Sequence, residues 1–383
     1  MALSIIPAGI LRRVIGPPRP CLLTRQNVRC FTVLALESSA DDTCAAIVNS
    51  DREIVSNVVV KQHSFHEQFG GIHPMHAIWA HQRHMPGAVR KALHDAGMTM
   101  NSIDGIAYTR GPGMAGCLSV CSNAAKTLAA ATSKPIVGVH HMQAHALMPL
   151  LTTPDISFPF LTLLISGGHT LLLLARSWRS FQTLATTPDE SIGNAFDKVS
   201  KMLKIPWGKL GPGAALEQYC LNDYDQQLPE IIPPLPSGQP GKLAFSYSGL
   251  HSGVERYIAV RNGDLDDPTK LALARAFQTA AVGQLEEKLL LALHWCRQNG
   301  VVIRDIIVSG GVASNKFLRR RLEFACRDFK FDDAAVRLVS PPQELCTDNA
   351  VMIGWASMDR FLAQDYDEYE IETRPKWDIQ ELQ

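Results

Sequence analysis

The chain has 383 residues, of which 46% are hydrophobic and 19% are charged, and its formal net charge is zero. This length allows two domains with complete cores, and the composition is typical of a globular protein. The lack of an apolar run of about 18 residues argues against a membrane-spanning helix, and nine cysteines without a C-x-x-C spacing argue against a zinc knuckle.

The first 30 residues differ in composition from the rest of the chain. They contain five arginines and no aspartate or glutamate, and the first acidic residue is Glu37. An arginine-rich, acid-free leader predicts a mitochondrial transit peptide at residues 1–30, with a disordered basic tail as the alternative. Because removal of five arginines would leave a net charge of about −5, a nucleic-acid partner would need a local basic patch.

The first predicted strands flank a turn rich in carboxylates and hydroxyls. Residues 31–36, 44–48 and 54–60 are apolar and predict a β-meander. Asp41 and Asp42 lie in its first turn. These carboxylates either satisfy backbone amides or orient water, a metal or a phosphate-bound cation, and the sequence alone favours neither interpretation.

A histidine-rich segment follows and surrounds a pair of glycines. The glycines predict a turn, and a helix is expected to begin near Pro74. The spacings of the six histidines do not repeat a metal-ligand pattern, so a polar helix face is the favoured interpretation. These residues are His63, His66, His73, His76, His81 and His84.

A glycine-rich loop at residues 110–116 lies between a predicted strand, residues 103–109, and a predicted helix, residues 118–131. Such a loop can present backbone amides to an anion at the start of the helix, or it can be a tight packing turn. No Gly-Lys-Ser/Thr ends it, so it is not a Walker A loop. The next predicted strand, residues 136–139, leads to three histidines.

Two of these histidines, His141 and His145, are four residues apart. On a helix they would share one face, and two imidazoles placed in this way can hold one metal ion. The alternative is a polar helix start that carries surface histidines. A metal site would also need a third ligand from elsewhere in the chain.

The strand pattern restarts near Phe158. A predicted strand at residues 160–165 runs into Ser-Gly-Gly at 166–168 and returns at 171–175, and a second apolar strand at 305–308 also runs into Ser-Gly-Gly. Small residues at strand ends let a backbone approach a phosphate closely. Two such turns after buried strands lead to the hypothesis of a nucleotide-binding site.

The remaining predicted elements lie in the second half of the chain. Residues 206–241 should be irregular with a short helix near 214–221, residues 245–250 should be β-like, and residues 270–298 should form a long helix. Asp348 precedes a last helix, residues 350–363. It could cap that helix or supply a third metal ligand.

Eight motifs together resemble the tRNA N6-adenosine threonylcarbamoyltransferase family, once named O-sialoglycoprotein endopeptidases. The mitochondrial branch looks most similar, and the resemblance extends over residues 33–354. The motifs are LALESSADDT, TRGPGMAGCLSV, GVHHMQAHA, LLISGGHT, GNAFDK, FSYSGL, IVSGGVASN and CTDNAVMIG.

The resemblance implies an α/β fold with two lobes, shared with actin and the sugar kinases. Each lobe has a ribonuclease-H-like mixed sheet flanked by helices, and nucleotide binds in the cleft. The expected lobes are residues 31–155 and residues 156–383. The second lobe would carry an insertion at about 180–260, and the last helix could pack back on the first lobe.

The resemblance also implies a set of site residues. One divalent metal ion, zinc or iron, would be held by His141, His145 and Asp348, with bound substrate completing its shell. The adenylate would be held by Ile165, Ser166, Gly167, Gly168, His169, Asp197, Gly213 and Asn315. The placement at Gly213 is the weakest, because residues 206–213 match the family's loop poorly.

The implied reaction transfers a threonylcarbamoyl group from threonylcarbamoyl-AMP to N6 of the adenosine 3′ to the anticodon, in mitochondrial tRNAs that read codons beginning with A. An exocyclic amine is a poor nucleophile, so the carbamoyl group must arrive activated. Asp42 or Asp41 would take the amine proton. The implied partners are tRNA, a separate synthase that makes the adenylate and a second copy in a homodimer, and the implied location is the mitochondrial matrix.

The chain departs from the usual family pattern at four positions, and three other functions compete. Ala40 replaces Cys, and Met75, Gln143 and Asn194 each replace Glu. A metallopeptidase would need a general-base glutamate as in H-E-x-x-H, and residues 142–144 offer none. A kinase or ATPase of the same fold and a non-catalytic nucleotide-binding scaffold stay open as alternatives.

Overall fold

Two five-stranded mixed sheets organise the part of the chain that the computed structural model describes, which is residues 30–62, 71–207, 210–222, 235 and 238–382. The predicted transit peptide up to residue 29 lies outside the described residues, and so do His63 and His66. Within the described ranges, no helix combines the length and the apolar character needed to cross a membrane.

The first sheet has the strand order β3-β2-β1-β4-β5. Strands β1 to β3 form an antiparallel meander, and β4 and β5 continue the sheet parallel to β1, so the predicted meander is confirmed. Every residue of β1 and β2 is buried, as expected for central strands covered on both faces. The strands are β1 (Thr32–Glu37), β2 (Thr43–Asn49), β3 (Ile54–Val60), β4 (Gly105–Gly111) and β5 (Ile136–His140).

The second sheet repeats this arrangement, with the order β8-β7-β6-β9-β12. Its first three strands form an antiparallel meander, and β9 and β12 continue the sheet parallel to β6. The same order in both sheets confirms the two-lobed fold that the resemblance implied. The strands are β6 (Phe160–Ile165), β7 (Thr170–Ala175), β8 (Phe181–Thr186), β9 (Asp305–Ser309) and β12 (Arg337–Val339); β10 (Lys330–Phe331) and β11 (Ala334–Ala335) form a short separate ribbon.

Helices cover both sheets. In the described part of the chain they are α1 (Pro74–Asp95), α2 (Ala115–Thr132), α3 (His141–Thr152), α4 (Ile192–Met202), α5 (Pro212–Cys220), α6 (Ser248–Val260), α7 (Asp267–Gln298), α8 (Lys316–Cys326), α9 (Gln343–Cys346) and α10 (Ala350–Leu362). Alternate residues of β1 enter two different cores. Leu34 packs with residues of α1 and α2, and Ala35 packs with residues of α3 and α10.

The last helix, α10, packs on the first sheet although it follows the second sheet in the chain. Gly354 permits this close approach, because a Cβ atom there would lie only 3.2 Å from Cβ of Ala35 and 3.3 Å from Cγ2 of Val48. The segment before α10 is therefore brought next to α3. Its position delivers Asp348 to the histidine pair.

The structure corrects one predicted element and adds others. Residues 245–250 are not a strand, because α6 begins at Ser248 and Asp189 accepts hydrogen bonds from the Ser246 and Ser248 hydroxyls and from the Tyr247 N–H. These bonds bend the segment around one carboxylate. The sequence patterns also missed α6 and the strands β8 and β12; β8 lies within the region expected to be an insertion.

Candidate metal centre

His141 and His145 lie in the first two turns of α3, and both are buried. Their Nε2 atoms converge on Oδ1 of Asp348, at 3.5 Å from His141 and 3.1 Å from His145. The three ligand atoms lie within 4.8 Å of one another, so these side chains could hold one metal ion. The fold thus brings the histidine pair together with a carboxylate 203 residues beyond His145.

Asp348 faces the histidines because another residue caps α10. Oδ1 of Asn349 accepts the N–H of Met352 at 2.9 Å, which is the N-cap interaction. The carboxylate of Asp348 is therefore not needed as a cap, and 25% of its side chain stays exposed to solvent. Of the two roles predicted for Asp348, the geometry matches the ligand role.

A second carboxylate, Glu37, orients His141 from behind. Oε2 of Glu37 lies 3.1 Å from Nδ1 of His141, and Oγ of Ser39 lies 3.3 Å from the same nitrogen. A carboxylate at Nδ1 keeps the proton there and leaves Nε2 as the electron-pair donor. Glu37 also accepts the hydroxyl of Thr109 and the N–H of Ser39. The sequence patterns did not predict that Glu37 orients His141.

The third histidine of the motif, His140, has a structural role. It is the N-cap of α3, and its Nδ1 accepts the N–H groups of Met142 at 3.2 Å and of Gln143 at 3.3 Å. Its Nε2 lies 3.1 Å from the carbonyl oxygen of Trp377 in the C-terminal tail. Burial lowers the pKa of His140 to about 3, so the ring is neutral, and its hydrogen-bond partners place the ring proton on Nε2.

The charges of the centre suit a divalent cation. Burial would lower the pKa of His141, but the charges of Asp348 and Glu37 outweigh it and raise that pKa to about 9. Burial would raise the pKa of both carboxyl groups, but the charge of His141 holds them below their ordinary values. With neutral imidazoles the centre carries two negative charges, so the donor set fits one divalent metal.

The acidic turn between β1 and β2 lies within the electrostatic field of this centre. Asp42 is 8% exposed, and its Oδ1 has no hydrogen-bond partner among the described residues. Burial, followed by the charges of Asp41 and Asp348, raises the pKa of Asp42 to about 8. Asp42 therefore titrates in the range that suits an acid–base group.

The two Ser-Gly-Gly turns meet at one edge of the second sheet, because β6 and β9 are parallel neighbours. Gly310 has φ of +99°, and a Cβ atom there would lie 2.3 Å from the carbonyl oxygen of Ile165. Only glycine fits this contact. In the first turn, Oγ of Ser166 accepts the N–H groups of Gly168 at 3.3 Å and His169 at 3.0 Å.

Of the other residues predicted for the adenylate, Gly213 lies in the first turn of α5, Asn315 is the N-cap of α8, and Asp197 lies in the middle of α4. Oδ1 of Asp197 accepts the N–H of Gly213 at 2.9 Å, which joins α4 to the start of α5. Oδ1 of Asn315 caps α8 by accepting the N–H of Leu318 at 2.9 Å. Burial, and then the nearby charges of the histidine pair, lower the pKa of His169 to about 4, so its ring is neutral.

The four departures from the family pattern occupy different places. Met75 is 49% exposed on α1, and Asn194 donates to Oε2 of Glu190 at 3.2 Å. Ala40 lies in the acidic turn. Gln143 donates its side-chain N–H to the carbonyl of Trp178 at 2.8 Å, on the opposite side of α3 from His141 and His145.

The comparisons with known sequences point to one family. The family model described as "TsaD: tRNA N6-adenosine threonylcarbamoyltransferase" matches residues 53–355. A "Probable tRNA N6-adenosine threonylcarbamoyltransferase, mitochondrial" of Arabidopsis thaliana is 38% identical and aligns over 92% of this chain and 75% of its own length. The mitochondrial protein of that name from Schizosaccharomyces pombe is 36% identical over 93% and 88%, and the protein from Sphingopyxis alaskensis is 39% identical over 91% and 95%.

The comparisons with solved structures agree with the fold. HypF of T. kodakarensis superimposes with a TM-score of 0.57 at 12% identity, over 88% of this chain and 48% of that one. A full-length HypF in a phosphate- and nucleotide-bound form gives a TM-score of 0.55 at 13% identity, over 88% and 47%. At these identities the likeness shows the two-lobed fold and nothing further.

Proposed function

The chain belongs to the tRNA N6-adenosine threonylcarbamoyltransferase family, and we propose that it transfers a threonylcarbamoyl group from threonylcarbamoyl-AMP to N6 of adenosine in tRNA. The target is the adenosine 3′ to the anticodon in mitochondrial tRNAs that read codons beginning with A. The observation that carries this proposal is the convergence of His141, His145 and Asp348 beside a buried acidic turn.

The reaction replaces one bond to the carbamoyl carbon by another. N6 of adenine attacks that carbon, the new C–N bond forms, and the C–O bond to the phosphate of AMP breaks, so AMP leaves with the electron pair. The amine must lose a proton in the same process. We assign the proton acceptor as Asp42, assisted by Asp41, because Asp42 is buried and has an oxygen without a partner among the described residues.

The adenylate is assigned to the edge of the second sheet. The turn from Ile165 to His169 offers its backbone there, and Gly310 lets the adjoining turn approach it closely. Asp197 with Gly213, and Asn315, hold the helix starts that surround this edge. Their role in binding the nucleotide is part of the proposal.

We assign one divalent ion per subunit, zinc or iron, to His141, His145 and Asp348. When bound, this ion would polarise the carbamoyl carbonyl. The chain itself supplies the three ligand atoms and keeps them oriented. Glu37 holds the His141 ring, and Asn349 caps α10 so that Asp348 faces the histidines.

The location and the partners extend the proposal. Two relatives are named as mitochondrial, and with the arginine-rich residues 1–30 this supports import into the mitochondrial matrix. A separate synthase supplies the adenylate, and two copies of the chain form a homodimer. Light scattering on the protein without residues 1–30 measures the oligomeric state directly.

Reconstitution tests the function. The protein without residues 1–30 is mixed with ATP, threonine, bicarbonate, an adenylate-forming synthase, a divalent metal and unmodified tRNA, and the nucleosides are analysed by mass spectrometry. We expect threonylcarbamoyladenosine only when all components are present. ATP turnover by the protein alone, without the synthase and without tRNA, would instead favour the kinase or ATPase, and tight adenylate binding without transfer would favour the scaffold.

A further inference from the structure

A buried histidine outside the metal centre, His81 of α1, contacts both sides of the acidic turn. Its Nε2 lies 3.0 Å from the carbonyl oxygen of Ala40, and its Nδ1 lies 2.8 Å from Oγ1 of Thr43. Asp41 and Asp42 lie between these two contact points. The His81 side chain therefore spans the segment that carries the proposed proton acceptor.

The interpretation of the histidine-rich segment as a polar helix face is wrong for this residue. His81 is 0% exposed and lies in the buried stripe of α1, four residues from both Ala77 and Met85. A polar side chain in such a stripe needs hydrogen-bond partners, because an unpaired buried polar group is costly. Its partners come from the acidic turn and from Gln62.

The neighbours of His81 select one tautomer. Nε2 of Gln62, a donor, lies 3.2 Å from Nδ1 of His81, so this ring nitrogen accepts. The ring proton is then on Nε2 and is donated to the carbonyl of Ala40. Burial lowers the pKa of His81, which keeps the ring in this neutral form.

The start of the same turn is fixed by different contacts. The carbonyl of Ser39 accepts the N–H of Met114 at 2.9 Å, and the hydroxyl of Ser38 donates to the carbonyl of Cys117 at 2.8 Å. These bonds anchor the turn to the glycine-rich loop and α2. The far side of the turn is held by α1, through His81.

We propose that His81 is a positioning residue that holds the acidic turn so that Asp42 meets the reacting amine. The proposal rests on the proposed function, which assigns the proton to Asp42. A displacement of about 1 Å at a reacting group can cost on the order of a hundredfold in rate. Loss of the bond to Ala40 should therefore lower kcat more than it changes the KM for the adenylate.

Two substitutions separate the two ends of the ring. In His81→Gln the amide nitrogen stands near the position of Nε2 and can still donate to Ala40. In His81→Asn the shorter amide stands near Nδ1, so it reaches Thr43 and not Ala40. His94→Gln on the same helix is the matched control, because the His94 side chain is 86% exposed.

The experiment measures transfer kinetics and the hydrogen exchange of residues 37–44 for all four proteins. We expect His81→Asn to lower kcat at least about tenfold with the KM for the adenylate within about twofold, and to speed exchange of the turn. His81→Gln should stay within about threefold of the unsubstituted protein in kcat and retain slow exchange. His94→Gln should change neither quantity.

Three results would overturn the proposal: unchanged exchange in His81→Asn, faster exchange with an unchanged kcat, or equal losses in His81→Asn and His81→Gln. Hydrogen exchange of residues 37–44 measures whether His81 holds the turn, and it does so even when no product forms. Failure of the unsubstituted protein to form product, with a metal bound, would refute the proposed function separately.

Discussion

The two five-stranded sheets have the same strand order, but the chemistry at their edges differs. The first sheet presents ionisable side chains, with Glu37 and the acidic turn after β1 and the histidine pair after β5. The second sheet presents backbone, in two Ser-Gly-Gly turns after β6 and β9. Asp348 reaches the first edge only because α10 returns to the first sheet.

This difference suits the two edges to different kinds of ligand. Buried charges at the first edge are kept by mutual pairing, which makes that edge suited to a cation and to proton transfer. Close backbone approach at the second edge requires positions without side chains, such as Gly310, which suits a phosphate. The comparison predicts that substitutions at the edge of the first sheet will change metal affinity or the transfer rate. Substitutions at the edge of the second sheet will change the affinity for the adenylate.

The largest effect is expected for Asp348→Ala. It removes one of three ligands and leaves two imidazoles, so metal affinity should fall at least about a hundredfold while adenylate affinity stays within about threefold. Metal analysis and calorimetry with the adenylate measure the two quantities. Asp359→Ala is the control. Asp359 lies on α10, and its loss removes an ion pair with Arg179 but no metal ligand, so this variant should retain the metal. Equal loss of both affinities in Asp348→Ala would break the comparison.

Asp42→Asn should lower the transfer rate by about 10²-fold or more, because the amide cannot accept the amine proton. In the unsubstituted protein the rate should rise with pH towards the pKa of about 8, because only the ionised carboxylate accepts a proton. A pH–rate profile of single turnovers measures both effects. A flat profile, or an undiminished rate in Asp42→Asn, would remove Asp42 from the mechanism.

Glu37→Gln should weaken metal binding by about ten- to a hundredfold, since partners behind a ligating histidine have effects of that size. The neutral amide holds the His141 proton less firmly, but all three ligands remain. Metal competition with a chelator measures the change. His145 differs from His141 in this respect, because its Nδ1 is buried without a hydrogen-bond partner in the described part of the chain. Unchanged metal affinity in Glu37→Gln would contradict the orienting role.

Gly310→Ala should affect the second edge alone. The new Cβ atom would meet the carbonyl of Ile165 at a positive φ, so we expect a loss of about 1–3 kcal/mol in the free energy of unfolding and about tenfold weaker adenylate binding. Gly311→Ala is the matched control, since a Cβ atom there would lie 3.9 Å from Cγ2 of Thr347, which is an ordinary van der Waals distance. Equal effects of the two variants in thermal unfolding would count against the close approach.

The last prediction concerns the dependence of stability on pH. The folded protein keeps the Asp42 proton up to a pKa of about 8, whereas the unfolded chain releases it near the ordinary value. The free energy of unfolding should therefore fall as pH rises through this window, because the folded state binds more protons there. Asp42→Asn removes this dependence and should have the higher Tm at pH 8 and above. Thermal scans from pH 5 to pH 9 check the sign.

Local patterns in the sequence predicted much of the fold, and the failures have physical causes. The meander of β1 to β3 and the His141–His145 pair are visible because strand and helix periods are local. β12 was missed because three residues at a sheet edge show no period. Residues 245–250 were misassigned because hydrogen bonds to Asp189, 57 residues before Ser246, outweigh their alternating aromatic pattern.

The site was less predictable, because its pairings are long-range. Glu37 lies 104 residues before His141, and no spacing reveals that contact. The position of Asp348 before the last helix predicted either a cap or a third metal ligand, and only the family resemblance selected the ligand role. His81 did carry a local signal that could have been used. It occupies the apolar stripe of α1, where a buried histidine needs a partner.

Single-turnover transfer from preformed threonylcarbamoyl-AMP to unmodified tRNA, with and without one divalent ion per chain, tests the central claim most directly. If the metal centre at the first sheet and the adenylate site at the second sheet act together, the metal-loaded protein forms threonylcarbamoyladenosine and releases AMP in equal amounts. The metal-stripped protein should still bind the adenylate but form no product above background. Transfer at an equal rate after metal removal would contradict the account.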